Sequence, residues 1–191
     1  MMVRTRVAPS PTGFPHIGTA YQALFDYAFA KKNKGKFILR IEDTDVKRTV
    51  PGAEEAIYEA LEWLGLTPDE GPYRQSERLD LYQKYAHDLV KKGFAYFCFC
   101  SEERLKKLRQ EQQKQGKPTM YDCRCRRLSK KEVDKKIKQG AAYVVRLKIP
   151  KNEKIIVPDL IRGKVVFDSN LIDDQILLKS DGFPTYHLAV V

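Results

Sequence analysis

The succession of apolar and polar positions in the first third of the chain predicts strands and helices in turn. Residues 3–8 (VRTRVA) predict a short strand, and residues 36–41 (KFILRI) predict a buried one. Between them, the spacing from Thr19 to about Asn33 predicts a helix. Its buried face is expected to carry Ala20, Leu24, Tyr27 and Ala28. A second helix is predicted to open at Pro51, so the pattern indicates a parallel, Rossmann-like α/β sheet.

The character of the chain changes near residue 84, where a basic region of mixed helical and strand-like pattern begins. Within it, SKKE at 129–132 has the spacing of a helix capping box. We predict three parts. Residues 1–83 form the first half of a Rossmann-like domain, and residues 84–180 form an inserted domain of mixed α/β structure. Residues 181–191 begin a return into the first domain.

The last five residues, HLAVV, form a continuous apolar run of the kind found in strands buried on both faces. A chain rarely stops inside such a strand, because its apolar end then has no partners. We therefore expect a truncated chain rather than one that ends in a short edge strand.

Positive charge is concentrated in the middle of the chain. The formal net charge is +10, and residues 84–140 hold 17 Lys and Arg against 7 Asp and Glu, which equals the whole excess. We expect a polyanionic partner there rather than only a solvated lysine-rich surface, because a confined positive field concentrates phosphates. No apolar run reaches membrane-spanning length, and no secretion signal opens the chain. A cytoplasmic protein with reduced cysteines and no membrane partner is expected.

The stretch APSPTGFPHIGT at residues 8–19 combines a predicted strand end, a tight turn and a helix start. Amide groups and the positive end of the helix dipole can bind an anion at such a place. The prolines restrict the loop backbone, while Gly13 and Gly18 let a ligand approach. His16 lies where its imidazole could donate to a phosphate. The residues alone thus predict a nucleotide-phosphate site beside a polyanion-binding insertion.

Four segments of the chain carry a family resemblance. PSPTG followed by PHIGT resembles the first signature of class I aminoacyl-tRNA synthetases, in the form found in glutamyl-tRNA synthetases. RIEDTD (40–45), GPYRQSER (71–78) and LLKSDGFPTYHLAVV (177–191) resemble later segments of that family in the same order. Thr19 stands where the general signature has a second histidine, a variation familiar in the glutamyl group.

The resemblance implies a reaction and a set of site residues. L-Glutamate would be activated by ATP, accompanied by Mg²⁺, and the glutamyl group would pass to the 3′ end of tRNA(Glu) on a monomeric enzyme. The implied catalytic residues are His16, Gly18 and Thr19. The implied ATP-binding residues are Pro9, Ser10, Pro11, Thr12, Gly13, His16 and Gly18. The implied glutamate-binding residues are Arg6, Ser10, Glu42 and Tyr186.

Two cysteine pairs lie in the basic region, Cys98-x-Cys100 and Cys123-x-Cys125. In a reducing compartment such pairs indicate a structural, tetrahedral Zn²⁺ site, and we predict that all four cysteines bind the metal. The resemblance also offers a second arrangement, in which Tyr121 takes the place of Cys123. Many relatives have glycine at position 123.

Two other functions stay open on the sequence. One is the related short enzyme that glutamylates queuosine in a tRNA, and the other is a truncated, non-catalytic tRNA-binding fragment. The lysine loop of K-M-S-K-S type that the family uses does not occur in these 191 residues. We therefore expect this stretch to lack full aminoacylation activity on its own.

Overall fold

The computed structural model describes residues 2–191, apart from the side chain of Val46, and they form two compact units that divide after Leu79. The elements of the first unit are β1 (Arg4–Val7), α1 (Ile17–Lys32), β2 (Lys36–Ile41), α2 (Ala53–Trp63) and β3 (Glu70–Arg74). The strands pair in the order β1-β2-β3, and both pairings are parallel. The predicted parallel α/β arrangement is confirmed.

The core of the first unit lies between the sheet and its helices. Val7, Phe37 and Ile41 from the strands pack with Ile57 and Leu61 of α2, and all five are nearly inaccessible to solvent. Burial of this apolar surface is the main force that holds the sheet to α2.

The predicted buried face of α1 is wrong in part. Ala23 and Ala30 are fully buried, whereas Leu24 is 52% exposed and Ala28 is exposed as well. Ala20 and Tyr27 are half-buried. The helix is apolar on almost every side, so its period alone cannot select the face that packs on the sheet.

The second unit runs from Asp80 and contains most of α3. Its elements are α3 (Leu79–Lys91), β4 (Ala95–Cys98), α4 (Glu102–Lys114), α5 (Lys130–Lys138), β5 (Val144–Leu147), β6 (Lys154–Asp159), β7 (Gly163–Asp168), β8 (Ile176–Leu178) and α6 (Tyr186–Ala189). Strands β4, β5 and β8 form an antiparallel sheet in that order, and β6 and β7 form a separate hairpin. No helix formed by residues 2–191 is long and apolar enough to cross a membrane.

The capping box predicted before α5 is confirmed. The Ser129 hydroxyl accepts from the Glu132 amide at 3.4 Å, and the Ser129 amide donates to the Glu132 carboxylate at 2.7 Å. Two amides that the helix cannot pair internally are thereby satisfied.

The last residues form a short helix, α6, and the predicted strand at HLAVV is wrong. Thr185 starts the helix: its carbonyl accepts from the amides of Leu188 and Ala189, and its own amide donates to Leu177 in β8. Leu188 and Ala189 are buried. Apolar composition correctly predicted the burial of Leu188 and Ala189, but a five-residue run is too short to distinguish a helix from a strand. Residues 181–191 belong to the second unit, and the predicted division at 83 and 180 stays a prediction.

Candidate functional site

His16 caps the amino terminus of α1. Its backbone is extended, its carbonyl accepts from the amides of Thr19 and Ala20, and its Nδ1 accepts from the amide of Gly18 at 3.0 Å. Because Nδ1 is the acceptor, the neutral ring carries its proton on Nε2. The side chain is exposed, so a donor group is held at a helix amino terminus and accessible from solvent.

The proline loop before α1 is attached to the segment that follows β2. The carbonyl of Pro9 accepts from the amide of Glu42 at 2.9 Å, and the carbonyl of Pro11 accepts from the amide of Val50 at 2.9 Å. Pro11 is fully buried, whereas Ser10 and Gly13 are exposed. The loop therefore has a buried anchor and presents its polar residues at the carboxyl ends of β1 and β2, where open α/β sheets bind ligands.

Gly18 is required by the histidine ring itself. A Cβ at position 18 would lie 2.8 Å from Cε1 and 3.0 Å from Nδ1 of His16, closer than ordinary contacts allow. By contrast, a Cβ at Gly13 would meet nothing within 4 Å. The two glycines of the loop therefore differ: one makes room for the imidazole, and the other faces open space.

The predicted glutamate-binding residues of the first unit lie on or after neighbouring strands. Arg6 is on β1 beside Ile38 of β2, and Ser10 follows β1. Burial raises the pKa of Asp26 in α1, and the nearby charge of Arg6 partly opposes that shift. Glu42 follows β2 and accepts from the Arg40 guanidinium at 2.7 Å, with both side chains mostly buried.

Tyr186 begins α6 in the second unit and is 65% exposed. Thr12 and Thr19 in the first unit are half-buried. The assignment of these positions to ATP and glutamate stays a prediction, as do the assignments of Arg6, Ser10 and Glu42.

Arg40 is a site residue that the sequence reasoning missed. Residues two apart on a strand share a face, so an arginine two positions before Glu42 was a readable signal. The acidic loop is also braced: Asp43 accepts from the Ser76 amide at 2.8 Å and from the Ser76 hydroxyl. Glu42 is therefore oriented by its arginine on one side and by a fixed loop on the other.

A second candidate site lies at the end of β4. The Sγ atoms of Cys98, Cys100 and Cys125 all lie within 4.8 Å of one another, and Cys100 and Cys125 are 3.5 Å apart. The Tyr121 hydroxyl lies 3.4 Å from both Cys98 Sγ and Cys100 Sγ, and it accepts from the Cys125 amide at 2.9 Å. We call these four side chains the ligand cluster.

Cys123 lies outside the ligand cluster, and the predicted four-cysteine zinc set stays a prediction. Its thiol points to Asp174 Oδ2 at 3.4 Å and to the Tyr121 carbonyl at 3.7 Å. Its backbone φ is 56°, in the left-handed region that favours glycine. That conformation turns Cys123 away while Tyr121 and Cys125 face the other two cysteines.

The members of the ligand cluster shift one another's pKa values in opposite directions. Hydrogen bonds from Cys125 and Tyr121 outweigh burial and lower the pKa of Cys98. The pKa of Cys125 is raised by its hydrogen bond with Cys98 and by burial, and burial also raises the pKa of Tyr121. Arg104 donates to Cys100 Sγ at 3.4 Å. These shifts favour the thiolate form at Cys98 over Cys125, and a bound cation would displace the remaining protons of the cluster.

The basic residues of the second unit are mostly on its surface. Four lysines of α5 are exposed: Lys130, Lys131, Lys135 and Lys138. These charges form a surface that suits a polyanion.

Comparisons with known proteins agree over the whole chain. Residues 2–191 match the family described as tRNA synthetases class I (E and Q), catalytic domain. A glutamate–tRNA ligase of Fusobacterium nucleatum is 58% identical over 98% of this chain and 38% of its own length, and one of Thermus thermophilus is 54% identical over 100% and 41%. The crystal structure of a glutamate tRNA ligase from Elizabethkingia meningosepticum in complex with its amino acid superposes with a TM-score of 0.92 at 46% identity, covering 100% of this chain and 41% of that one. The chain spans about two fifths of the length of these relatives.

Proposed function

The chain belongs to the class I tRNA synthetases of the E and Q type, within their catalytic domain, and on that premise we propose that it acts as a glutamate–tRNA ligase. It activates L-glutamate with ATP and transfers the glutamyl group to the 3′ end of tRNA(Glu). The observation that carries the chemistry is the capped start of α1, where His16 holds an Nε2 proton outward beside a helix amino terminus. The amino-acid substrate, glutamate, is inferred from the relatives, which are named glutamate–tRNA ligases.

The first step forms a bond between a glutamate carboxylate oxygen and the α-phosphorus of ATP, and the bond to pyrophosphate breaks. Negative charge grows on the phosphate oxygens during this exchange, so catalysis depends on positioning and on charge stabilisation. His16 donates from Nε2 to those oxygens, and the dipole of α1 acts in the same direction. Gly18 and Thr19 contribute through the backbone that shapes this helix start. Mg²⁺ accompanies ATP and neutralises phosphate charge.

The amino acid is held by charge complementarity. Arg6 binds the side-chain carboxylate, because a guanidinium forms two parallel hydrogen bonds to such a group. Glu42, oriented by Arg40, accepts from the α-ammonium together with Ser10. In the second step the terminal ribose hydroxyl of the tRNA attacks the acyl carbon, and AMP leaves.

The ligand cluster holds a structural Zn²⁺ through Cys98, Cys100, Cys125 and Tyr121. Zinc bonds four thiolate, imidazole or oxygen ligands tetrahedrally, and sulfurs about 2.3 Å from the metal lie about 3.8 Å from each other. The 3.5 Å between Cys100 Sγ and Cys125 Sγ fits that spacing. The metal would join the end of β4 to the turn that carries Tyr121.

The protein works as a monomer in the cytoplasm, with its basic second unit on the tRNA. Lysine and arginine contacts to phosphates give affinity that falls with salt and carries little base selection. The alternative of a queuosine-modifying enzyme is not favoured, because the relatives that match the whole chain are named glutamate–tRNA ligases.

The activity is tested by glutamate-dependent exchange of pyrophosphate into ATP, measured with the protein as its gene encodes it. We expect exchange with L-glutamate only when tRNA(Glu) is present, and none with L-glutamine. Exchange that needs no tRNA, with glutamate delivered to a queuosine-containing tRNA, would support the queuosine enzyme instead. No exchange under either condition contradicts both enzymatic assignments.

The metal is tested by zinc analysis of the 191-residue chain and its variants. We expect one zinc per chain, lost in Cys100→Ser and weakened in Tyr121→Phe. Cys123→Ser is the matched control and should keep its zinc, because its thiol faces Asp174. Loss of zinc in Cys123→Ser together with retention in Tyr121→Phe would restore the four-cysteine set.

A further inference from the structure

We propose that Asp173 and Asp174, which precede β8, are positioning residues for the ligand cluster, because they hold the turn that supplies two of its four ligands. We call residues 121–126 the ligand turn. The inference rests on the zinc site proposed above, and it assigns a role to two acidic residues and to Cys123 that the ligands themselves do not explain.

Asp174 is a buried carboxylate surrounded by donors. Its side chain has no solvent exposure. Oδ2 accepts from the Tyr96 hydroxyl at 2.7 Å and from the Cys123 thiol at 3.4 Å. The Arg126 guanidinium lies 3.3 Å from Oδ2, and the Ile149 amide donates to Oδ1 at 3.1 Å. A buried charge is costly unless it is paired and hydrogen-bonded, and here two of the four donors come from the ligand turn.

Asp173 and Asp174 also hold Tyr121. The Tyr121 amide donates to Asp173 Oδ1 at 3.0 Å. The Arg146 guanidinium lies over the Tyr121 ring, 4.2 Å from its centroid, and its Nη1 donates to the Asp174 carbonyl at 2.8 Å. Asp173 therefore holds the backbone of Tyr121 directly, and the Asp174 carbonyl holds the ring through Arg146. That placement brings the hydroxyl to the cysteines.

The ligand turn needs such support because it contains an unfavourable backbone conformation. A left-handed non-glycine residue costs about 1–2 kcal/mol and persists only where its surroundings hold it. Cys123 is that residue, at φ 56°. Its thiol donates to Asp174, so one carboxylate pairs with the strained residue and with Arg126 on the far side of Cys125. Relaxation of Cys123 would move Tyr121 and Cys125 relative to each other.

Partners outside the ligand shell commonly change metal affinity about 10- to 100-fold when they are removed. We therefore expect Asp174→Asn and Asp173→Ala to bind Zn²⁺ at least about tenfold more weakly than the parent chain. Asparagine keeps the shape of the Asp174 side chain but replaces one acceptor oxygen with a donor and removes the charge, whereas alanine removes the Asp173 acceptor of the Tyr121 amide. Asp134→Asn is the matched control, because Asp134 is an exposed aspartate on α5.

The experiment titrates Zn²⁺ against the Co²⁺-loaded 191-residue chain and follows the cobalt–thiolate absorption. Circular dichroism and melting of the metal-free forms show whether each variant is folded. A second variant separates positioning from general stability: Cys123→Gly in the Asp174→Asn background should recover part of the lost affinity, since glycine adopts φ > 0 without strain. Cys123→Gly in the Asp134→Asn background is the control and should leave the zinc affinity unchanged, because Asp174 still holds the ligand turn there.

The outcomes distinguish the two proposals. If the parent chain binds neither Co²⁺ nor Zn²⁺, the zinc site itself is refuted. If the parent binds and both aspartate variants bind as tightly as Asp134→Asn, the positioning role is overturned. If Asp174→Asn does not fold, Asp173→Ala decides, because it removes the acceptor of the Tyr121 amide and leaves Asp174 in place.

Discussion

Gly18→Ala is predicted to displace the His16 imidazole while leaving α1 folded. The added Cβ would lie 2.8 Å from Cε1 and 3.0 Å from Nδ1 of that ring. Carbon atoms in contact prefer about 3.5–4.0 Å, so the ring must move by roughly 1 Å. It can do so because His16 is exposed, and among residues 2–191 its ring has one hydrogen bond, from the Gly18 amide to Nδ1.

The expected effect on stability is small, and the expected effect on catalysis is large. Loss of the side-chain cap costs about 1 kcal/mol. Alanine in place of helical glycine returns up to about 1 kcal/mol, so the net change is close to zero. A displacement of about 1 Å in a reacting geometry can lower a rate about 100-fold. That factor corresponds to about 2.7 kcal/mol of transition-state stabilisation.

The assay combines two readouts. Nitrogen-15 NMR of the imidazole reports whether Nδ1 still accepts a hydrogen bond, and glutamate-dependent pyrophosphate exchange with tRNA(Glu) gives kcat and the KM for ATP. Gly13→Ala on the same loop is the structural control, because its Cβ meets nothing within 4 Å and should leave the His16 spectrum unchanged. An unchanged His16 spectrum and full turnover in Gly18→Ala would refute the steric argument. An unchanged spectrum with a raised KM for ATP would show instead that the glycine makes room for the nucleotide.

Three further predictions concern single side chains. His16→Ala should lower kcat of pyrophosphate exchange far more than it raises the KM for glutamate, because the imidazole acts on phosphate; the reverse pattern contradicts its role. Ser129→Ala should destabilise the second unit by about 1 kcal/mol through loss of the α5 cap, seen as a lower Tm, while Ser129→Thr should keep most of the parent's Tm. Hydrogen bonds from Lys31 and the Phe37 amide lower the pKa of Asp69 below its ordinary value, so their contribution is complete above that value and disappears as the pH falls through the folded-state pKa. Asp69→Asn should therefore lower Tm at pH 7, and its difference from the parent should shrink below about pH 4; a constant difference in pH-dependent melting would argue against the ion pair.

Local chemistry allowed much of the first unit to be predicted from the sequence. Strand β2 is an apolar run, and the proline loop leads directly into a helix start, so the parallel α/β arrangement follows from short-range pattern. The capping box at Ser129 is another local signal that the structure confirms. The importance of His16 was also predicted, but its Nδ1 bond to the Gly18 amide was not.

Predictions were wrong where the pattern was ambiguous. Helix α1 is apolar on nearly all sides, so the exposure of Leu24 could not be read from periodicity. The final apolar run could form a strand or a helix, and contacts of Thr185 with β8 select the helix. In both segments the apolar pattern indicated a face that packs against the core, but it did not determine which side chains that face buries.

The choice between Tyr121 and Cys123 shows most clearly what the sequence determined by itself. The sequence determined that the candidate thiolate ligands of a metal occur in two groups, because two cysteine pairs, each with one residue between its members, are present in the basic region. Which side chains face one another depends on a left-handed residue in the ligand turn and on a carboxylate 51 residues away that holds it. Only the tertiary structure decides this, because the thiol of the left-handed residue donates to Asp174, which lies far away in sequence just before β8.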